Sequence, residues 1–332
     1  MPTPVIAAER WRLRALLAVP ALLAALWPAA VAAQAWPARQ AVRLVVVFPP
    51  GGSVDQVARI LAPVLQQRLG QSVVVENKGG ASGAIGTAAV VQAPADGYTF
   101  AVVFDTHGVN PALQPGLSYD TKRDLVAVSL IGTGAMVITT VASSPYKSFA
   151  DVVKVAQGGT AIAYGSIGSG SLGHLAVTML AKAGKLELTH VPYRGGGPLM
   201  SDAIAGHVPL AVGSVFLAKP HIDSGKLRAL AVTTSQRSAN LPGVPTLAES
   251  GFAGFDAPAW WAVLAPAKTP AEIVQRMNEE INAALRQPEV ADKLAAQGIV
   301  TNVGTAAMAQ TFIETQLDTW AKVVKANDIK AD

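Results

Sequence analysis

Leu44-Val-Val-Val-Phe-Pro-Pro-Gly-Gly-Ser-Val-Asp55 runs an apolar strand through a proline–glycine turn into the start of a helix. Ala163-Tyr-Gly-Ser-Ile-Gly-Ser-Gly-Ser-Leu-Gly-His-Leu175 does the same more than a hundred residues later. Glycine lets backbone N–H groups approach a ligand with no Cβ in the way. A helix start leaves its first N–H groups unpaired and carries partial positive charge. Each stretch is therefore an anion cradle that needs no cationic side chain. Two cradles so far apart in sequence predict two lobes closing on one small anion.

Working outward, short β-branched runs alternate with helical periodicity. Residues 42–48, 72–76 and 98–104 read as strands, and 54–69 and 83–93 as helices between them. Strand–helix–strand order implies a parallel, right-handed, doubly wound sheet. The pattern restarts after residue 136. Strands are expected at 137–142, 161–164, 188–191, 210–212 and 228–233, with helices at 148–156, 171–183, 198–205 and around 220–224. A stretch rich in Pro and Gly, 235–258, leads to a strand at 260–265. Helices follow at 270–285, from 288, and at 306–326. The fold class is α/β, with mixed, mostly parallel sheets and helices on both faces. Residues 36–134 and 258–332 are assigned to lobe 1 and 135–257 to lobe 2. The alternative is one large sheet with a C-terminal helical cap. Open α/β sheets bind ligands at the carboxyl ends of their strands, where both cradles fall, and this favours two lobes.

Residues 1–35 read as an export signal. Arg10, Arg12 and Arg14 precede an apolar Leu/Ala run and then the small residues Val31-Ala-Ala-Gln-Ala35. Cleavage is expected after Ala33 or Ala35. Retention as a membrane anchor is the alternative; Pro20 and Pro28 interrupt the run, which is shorter than the roughly 20 residues needed to span. Taking away the three Arg and one Glu of that segment moves the formal charge from +4 to +2. That charge is scattered and too mild to indicate nucleic acid. There is no cysteine, so thiol chemistry and disulfides are excluded. An exported chain without cysteine fits a bacterial periplasm.

Neither Ser166 nor Ser171 has the flanking glycines of a nucleophile elbow. His107, His174, His190, His207 and His221 show no ligand spacing for a metal cluster. Pro50-Gly-Gly-Ser53 lacks the Gly-Lys-Ser/Thr of a phosphate loop, and no dinucleotide fingerprint follows the first strand. A third strand–glycine–helix segment, His190-Val-Pro-Tyr-Arg-Gly-Gly-Gly-Pro198, follows the second cradle. Tyr193 offers an aromatic wall there, and Arg194 reads as a solvated surface charge.

These stretches together resemble a known family. Phe48-Pro-Pro-Gly-Gly-Ser-Val-Asp55, Val75-Glu-Asn-Lys-Gly-Gly-Ala-Ser-Gly83, Ala95-Asp-Gly-Tyr-Thr99, Tyr164-Gly-Ser166 with His174-Leu175, Val191-Pro-Tyr-Arg-Gly195 and Leu241-Pro-Gly-Val-Pro-Thr246 are similar, in order, to the Bug/TctC-type substrate-binding proteins of tripartite tricarboxylate transporters. The resemblance implies a periplasmic, two-lobed Venus-flytrap protein (type II-like) without a cofactor. It implies a monomer that takes a small organic acid or acidic amino acid and hands it to membrane permease subunits. Carried over by residue, the first-lobe ligand contacts fall on Phe48, Gly51, Gly52 and Asp55, with Asp105, Thr106 and His107 after the third strand. Those of the second lobe fall on Ser166, Ser169, Gly170, Ser171, His174 and Tyr193. Departures from the family pattern are Val47, Asp105 and Gly213-Ser-Val-Phe216, all near the expected pocket. Asp55, in the first turn of its helix, reads as a brace for the Gly51–Ser53 loop rather than as an acceptor for an anion. A receptor for a sensor kinase and a cleft enzyme acting on a carboxylate are the competing readings.

Overall fold

A computed structural model describes residues 36–330; the export-signal reading lies outside the described residues. The first strand, β1 (Val42–Val46), is buried except at Arg43 and feeds α1 (Ser53–Leu69). The apolar residues of α1 recur at helical spacing, burying Val57, Leu61 and Leu65 on the sheet side. Gly70 closes α1 in the left-handed conformation, φ 63°. β2 (Val73–Asn77), α2 (Ala84–Val91) and β3 (Thr99–Phe104) complete the first doubly wound unit. Every residue of β3 is buried, as expected of a strand covered on both faces.

Several elements depart from the sequence reading. Residues after β3, expected as a loop, form α3 (Thr106–Leu113). The stretch before residue 136, given no element, holds a short helix, α4 (Thr121–Asp124), and the ten-residue strand β4 (Leu125–Gly134). β4 passes through Ala135 directly into β5 (Met136–Val141), in a different sheet. Then follow α5 (Phe149–Gln157), β6 (Ile162–Ser166), α6 (Leu172–Gly184), β7 (Leu188–Pro192), α7 (Gly196–Ala205), β8 (Leu210–Ser214), α8 (Val215–Asp223) and β9 (Leu227–Val232). α8 begins five residues before the expected start at Pro220, because Ser214 caps it by accepting from Leu217 N–H. The chain returns through β10 (Ala259–Pro266), α9 (Ala271–Leu285), α10 (Pro288–Ala296), β11 (Ile299–Thr301) and α11 (Ala306–Asn327).

One sheet has the order β11-β4-β10-β3-β1-β2 and the other β7-β6-β8-β5-β9. β1 pairs in parallel with β2 and β3, and β6 with β7 and β8; β10, β11 and β5 run against their neighbours. Most strands thus point one way, with antiparallel insertions where the chain changes sheet or returns. β10 is buried throughout, and Trp260 and Trp261 are wholly enclosed. α11 packs against α3 and β4, and an Arg68–Glu280 ion pair of 2.6 Å joins α1 to α9. The carboxyl ends of β1, β3, β6, β7 and β8 carry the loops that build the cleft described next.

Candidate functional site

The first cradle begins where β1 ends. Phe48 is buried, and its carbonyl accepts Asn77 Nδ2–H at 3.0 Å. Gly51 takes φ 84°, a left-handed turn that favours glycine, and Gly52 caps α1. Asp55 does not face outward. Its Oδ2 accepts Gly51 N–H at 3.0 Å, and its Oδ1 accepts Arg59 Nε at 3.0 Å and Asn77 Nδ2 at 2.9 Å. Burial pushes the Asp55 carboxyl up, but these hydrogen bonds outweigh it, and the group sits below the ordinary carboxylate range. Its carboxylate therefore holds the glycine turn and the neighbouring strand together.

The second cradle lies between β6 and α6. Ser171 caps α6 by accepting His174 N–H at 3.2 Å, and its hydroxyl donates to Ser166 Oγ at 3.1 Å. Gly170, φ 76°, donates its N–H to His174 Nδ1 at 3.1 Å. His174 is thus turned back onto the loop, with Nδ1 as acceptor. Its ring stacks on His190, centroids 4.0 Å apart and 11° between planes. Ser166 Oγ lies 2.7 Å from His190 Nε2 and is also hydrogen-bonded to the carbonyl and the N–H of Gly168. Sequence spacing does not reveal the Ser166–His190 contact, which arises because β6 and β7 are parallel neighbours.

Across the cleft, the first cradle meets the third glycine segment, and the second cradle meets Ser82. A Cβ on Gly196 would sit 3.5 Å from Gly52 Cα, and one on Gly197 would sit 3.2 Å from Pro50 O. A Cβ on Gly168 would lie 2.9 Å from Ser82 Oγ, and that hydroxyl donates to Ser169 O at 2.6 Å. Gly195–Gly197 and Ser82 therefore stand at the cleft beside the residues expected from the sequence. The glycine triplet was visible in the sequence; its partner across the cleft was not.

Two spaces result. An inner gap of about 10 Å³ lies among Phe48, Gly52, Phe104, Ile167, Gly196 and Ser214. That is room for about one water, so the loops must part before an organic acid can reach these groups. An outer cleft of about 920 Å³ is lined by Pro49, Asn77, Ser82, Ser169, Tyr193 and Arg194, among others. Tyr193 forms a wall there, its hydroxyl donating to Asp202 Oδ2 at 2.9 Å; burial and then Asp202 push its pKa up to about 12. Arg194 is exposed.

The three residues after β3 divide. Asp105 and Thr106 are buried at the strand end. Asp105 faces the N–H groups of Thr106 and of Leu172 at the start of α6; burial raises its pKa well above the ordinary value, and these amides only partly offset it. His107 turns away from the cleft, its ring parallel to Tyr119 and Nε2 3.2 Å from Thr121 Oγ1. The described residues contain no group of three His, Cys, Asp or Glu side chains able to hold a metal. None of their helices is long and apolar enough to cross a membrane.

Two α/β lobes with opposed glycine-rich strand ends across a cleft define the class of two-lobed periplasmic binding proteins. The model of the tripartite tricarboxylate transporter family receptor matches residues 57–329, and the chain belongs to that family. It is 37% identical to the protein BugT of Bordetella pertussis over 307 residues, 91% of this chain and 93% of that one. Among solved structures it superposes on R. palustris Rpa4515 with adipate at a TM-score of 0.85, with 35% identity, covering 89% of this chain and 99% of that one. It superposes on MatC from Rhodopseudomonas palustris with bound malate at 0.82, with 28% identity, covering 86% and 99%.

Proposed function

We propose that this protein is a periplasmic solute-binding protein. It captures a small carboxylate between its lobes and presents it to the membrane permease of a tripartite tricarboxylate transporter. The observation that carries the reading is the approach of the Pro50–Gly52 turn to the Gly195–Gly197 turn, two helix starts facing each other across one cleft. Hydrogen bonds to a charged group are worth about 1.5–3 kcal/mol each, so a few amides replace an arginine clamp. The adipate and malate held by two relatives support the ligand class.

Purified protein is screened by thermal shift against organic acids and acidic amino acids, with native mass spectrometry to reveal any ligand carried through purification. A binding acid raises Tm by mass action. Gly52→Val pushes a branched side chain toward Gly196 and abolishes that rise, while the unliganded protein melts near the parent. A flat screen counts against the reading, and a shift kept in Gly52→Val removes the first cradle from the site. A cleft enzyme would draw on the Ser166–His190 contact. Ser166 is wholly buried and fastened within its own loop, which favours binding over turnover. NMR of the bound acid after long incubation checks this, the acid being recovered unchanged.

A further inference from the structure

We propose that Asp105 stands in for a ligand carboxylate at the second cradle, so that this protein selects a monocarboxylate whose far end is uncharged. The inference rests on the carboxylate-binding reading above and narrows it. The start of α6, a thirteen-residue helix capped by Ser171, is where a second ligand carboxylate would be expected. Asp105 reaches that place from the opposite lobe. It sits at the carboxyl end of β3, is 0% exposed, and faces the N–H of Leu172, the first residue of α6. Among the described residues neither of its oxygens completes a hydrogen bond, which is costly for a buried carboxyl and leaves it with unused acceptor capacity.

A second ligand carboxylate arriving here meets an amide that the Asp105 carboxyl already faces. If Asp105 is ionised, the two charges repel in a site from which water is largely excluded, where Coulomb interactions are strong. If Asp105 is protonated, it still fills the space and still faces the Leu172 N–H. An uncharged ligand end incurs neither cost, and a hydroxyl or amide there supplies the donor that Asp105 lacks. The first cradle, where Asp55 is already committed to its own loop, takes the single carboxylate.

Isothermal titration with chain-matched pairs, butyrate against succinate and hexanoate against adipate, tests this on the parent, Asp105→Asn and Asp105→Ser. Melting curves establish that the variants are folded. In the parent, the monocarboxylate of at least one pair binds tighter than its dicarboxylate partner by roughly tenfold or more. In both variants that preference shrinks by a similar factor, because the amide or hydroxyl donates to the incoming second carboxylate. A parent that binds the dicarboxylates as tightly as the monocarboxylates overturns the role of Asp105 and leaves carboxylate capture standing. A preference unchanged in both folded variants overturns it too. If neither variant folds, the parent's own ratio decides. If no acid in these pairs or in the wider screen binds the parent, the carboxylate reading itself falls and this inference falls with it.

Discussion

His107 shows how far a side chain's role depends on which way it points. Its place after β3 marks it as a candidate contact, yet its ring packs on Tyr119 and reaches Thr121. Burial lowers its pKa from 6.5 to about 4. The folded value is therefore below the unfolded one, and between these two pH values the unfolded chain binds more protons. The stabilisation is complete above about pH 6.5 and is lost as pH falls toward 4, on the order of 3 kcal/mol in all. Denaturant unfolding across that range shows the loss, and His107→Gln flattens the profile. An equally steep fall in the variant would assign the acid sensitivity to other groups. Asp55 is the opposite case. Its first-turn position on α1 suggested a brace for the glycine turn, and its carboxylate is bonded to Gly51.

At the level of elements, the alternating pattern was legible wherever both ends of an element carried strong signals. The run 44–55 names its strand, turn and helix because β-branched residues, Pro-Pro-Gly-Gly and helical spacing follow in order. β4 is hard to read from sequence partly because it ends in Gly132-Thr-Gly134, and glycine weakens a strand. The structure supplies the reason for those glycines. A Cβ on Gly132 would lie 2.5 Å from Val300 O, and one on Gly134 2.7 Å from Gly298 O, where β11 closes on the strand. α3 is hidden in the sequence because Gly108 and Pro111 depress helix propensity, and packing against α11 outweighs that. The loop before α2 also works against its own residues. Ala81 and Ser82 take φ 46° and 50°, a left-handed conformation costing about 1–2 kcal/mol per residue. Ala81→Gly relieves that strain against about 0.4–1 kcal/mol from a freer unfolded chain. The expected result is a gain of up to about 1.5 kcal/mol, read as a raised Tm. A lowered Tm would show that the alanine methyl matters more to the loop than its strain.

Across the whole molecule, Ser82 connects the lobes: its hydroxyl donates to Ser169 O, and its own carbonyl accepts Asn110 Nδ2–H at 3.0 Å. Removing the hydroxyl weakens the closed arrangement by about 0.5–1.5 kcal/mol, the net worth of one hydrogen bond. Closure accompanies capture in the proposed function, so Ser82→Ala raises the Kd for the bound acid by roughly two- to tenfold. Calorimetry with any ligand found in the screen measures this; unchanged affinity would mean that the Ser82–Ser169 contact adds nothing to closure. The sequence by itself determined the α/β class, the family and the two glycine cradles, because strand periodicity, helix starts and positive-φ glycines are written in local residue order. Only the tertiary structure decided what faces what. The meeting of Gly52 with Gly196, of Ser166 with His190, and of Asp105 with the start of α6 joins residues from 24 to 144 positions apart. Their distances follow from strand order and lobe closure, which no local pattern encodes.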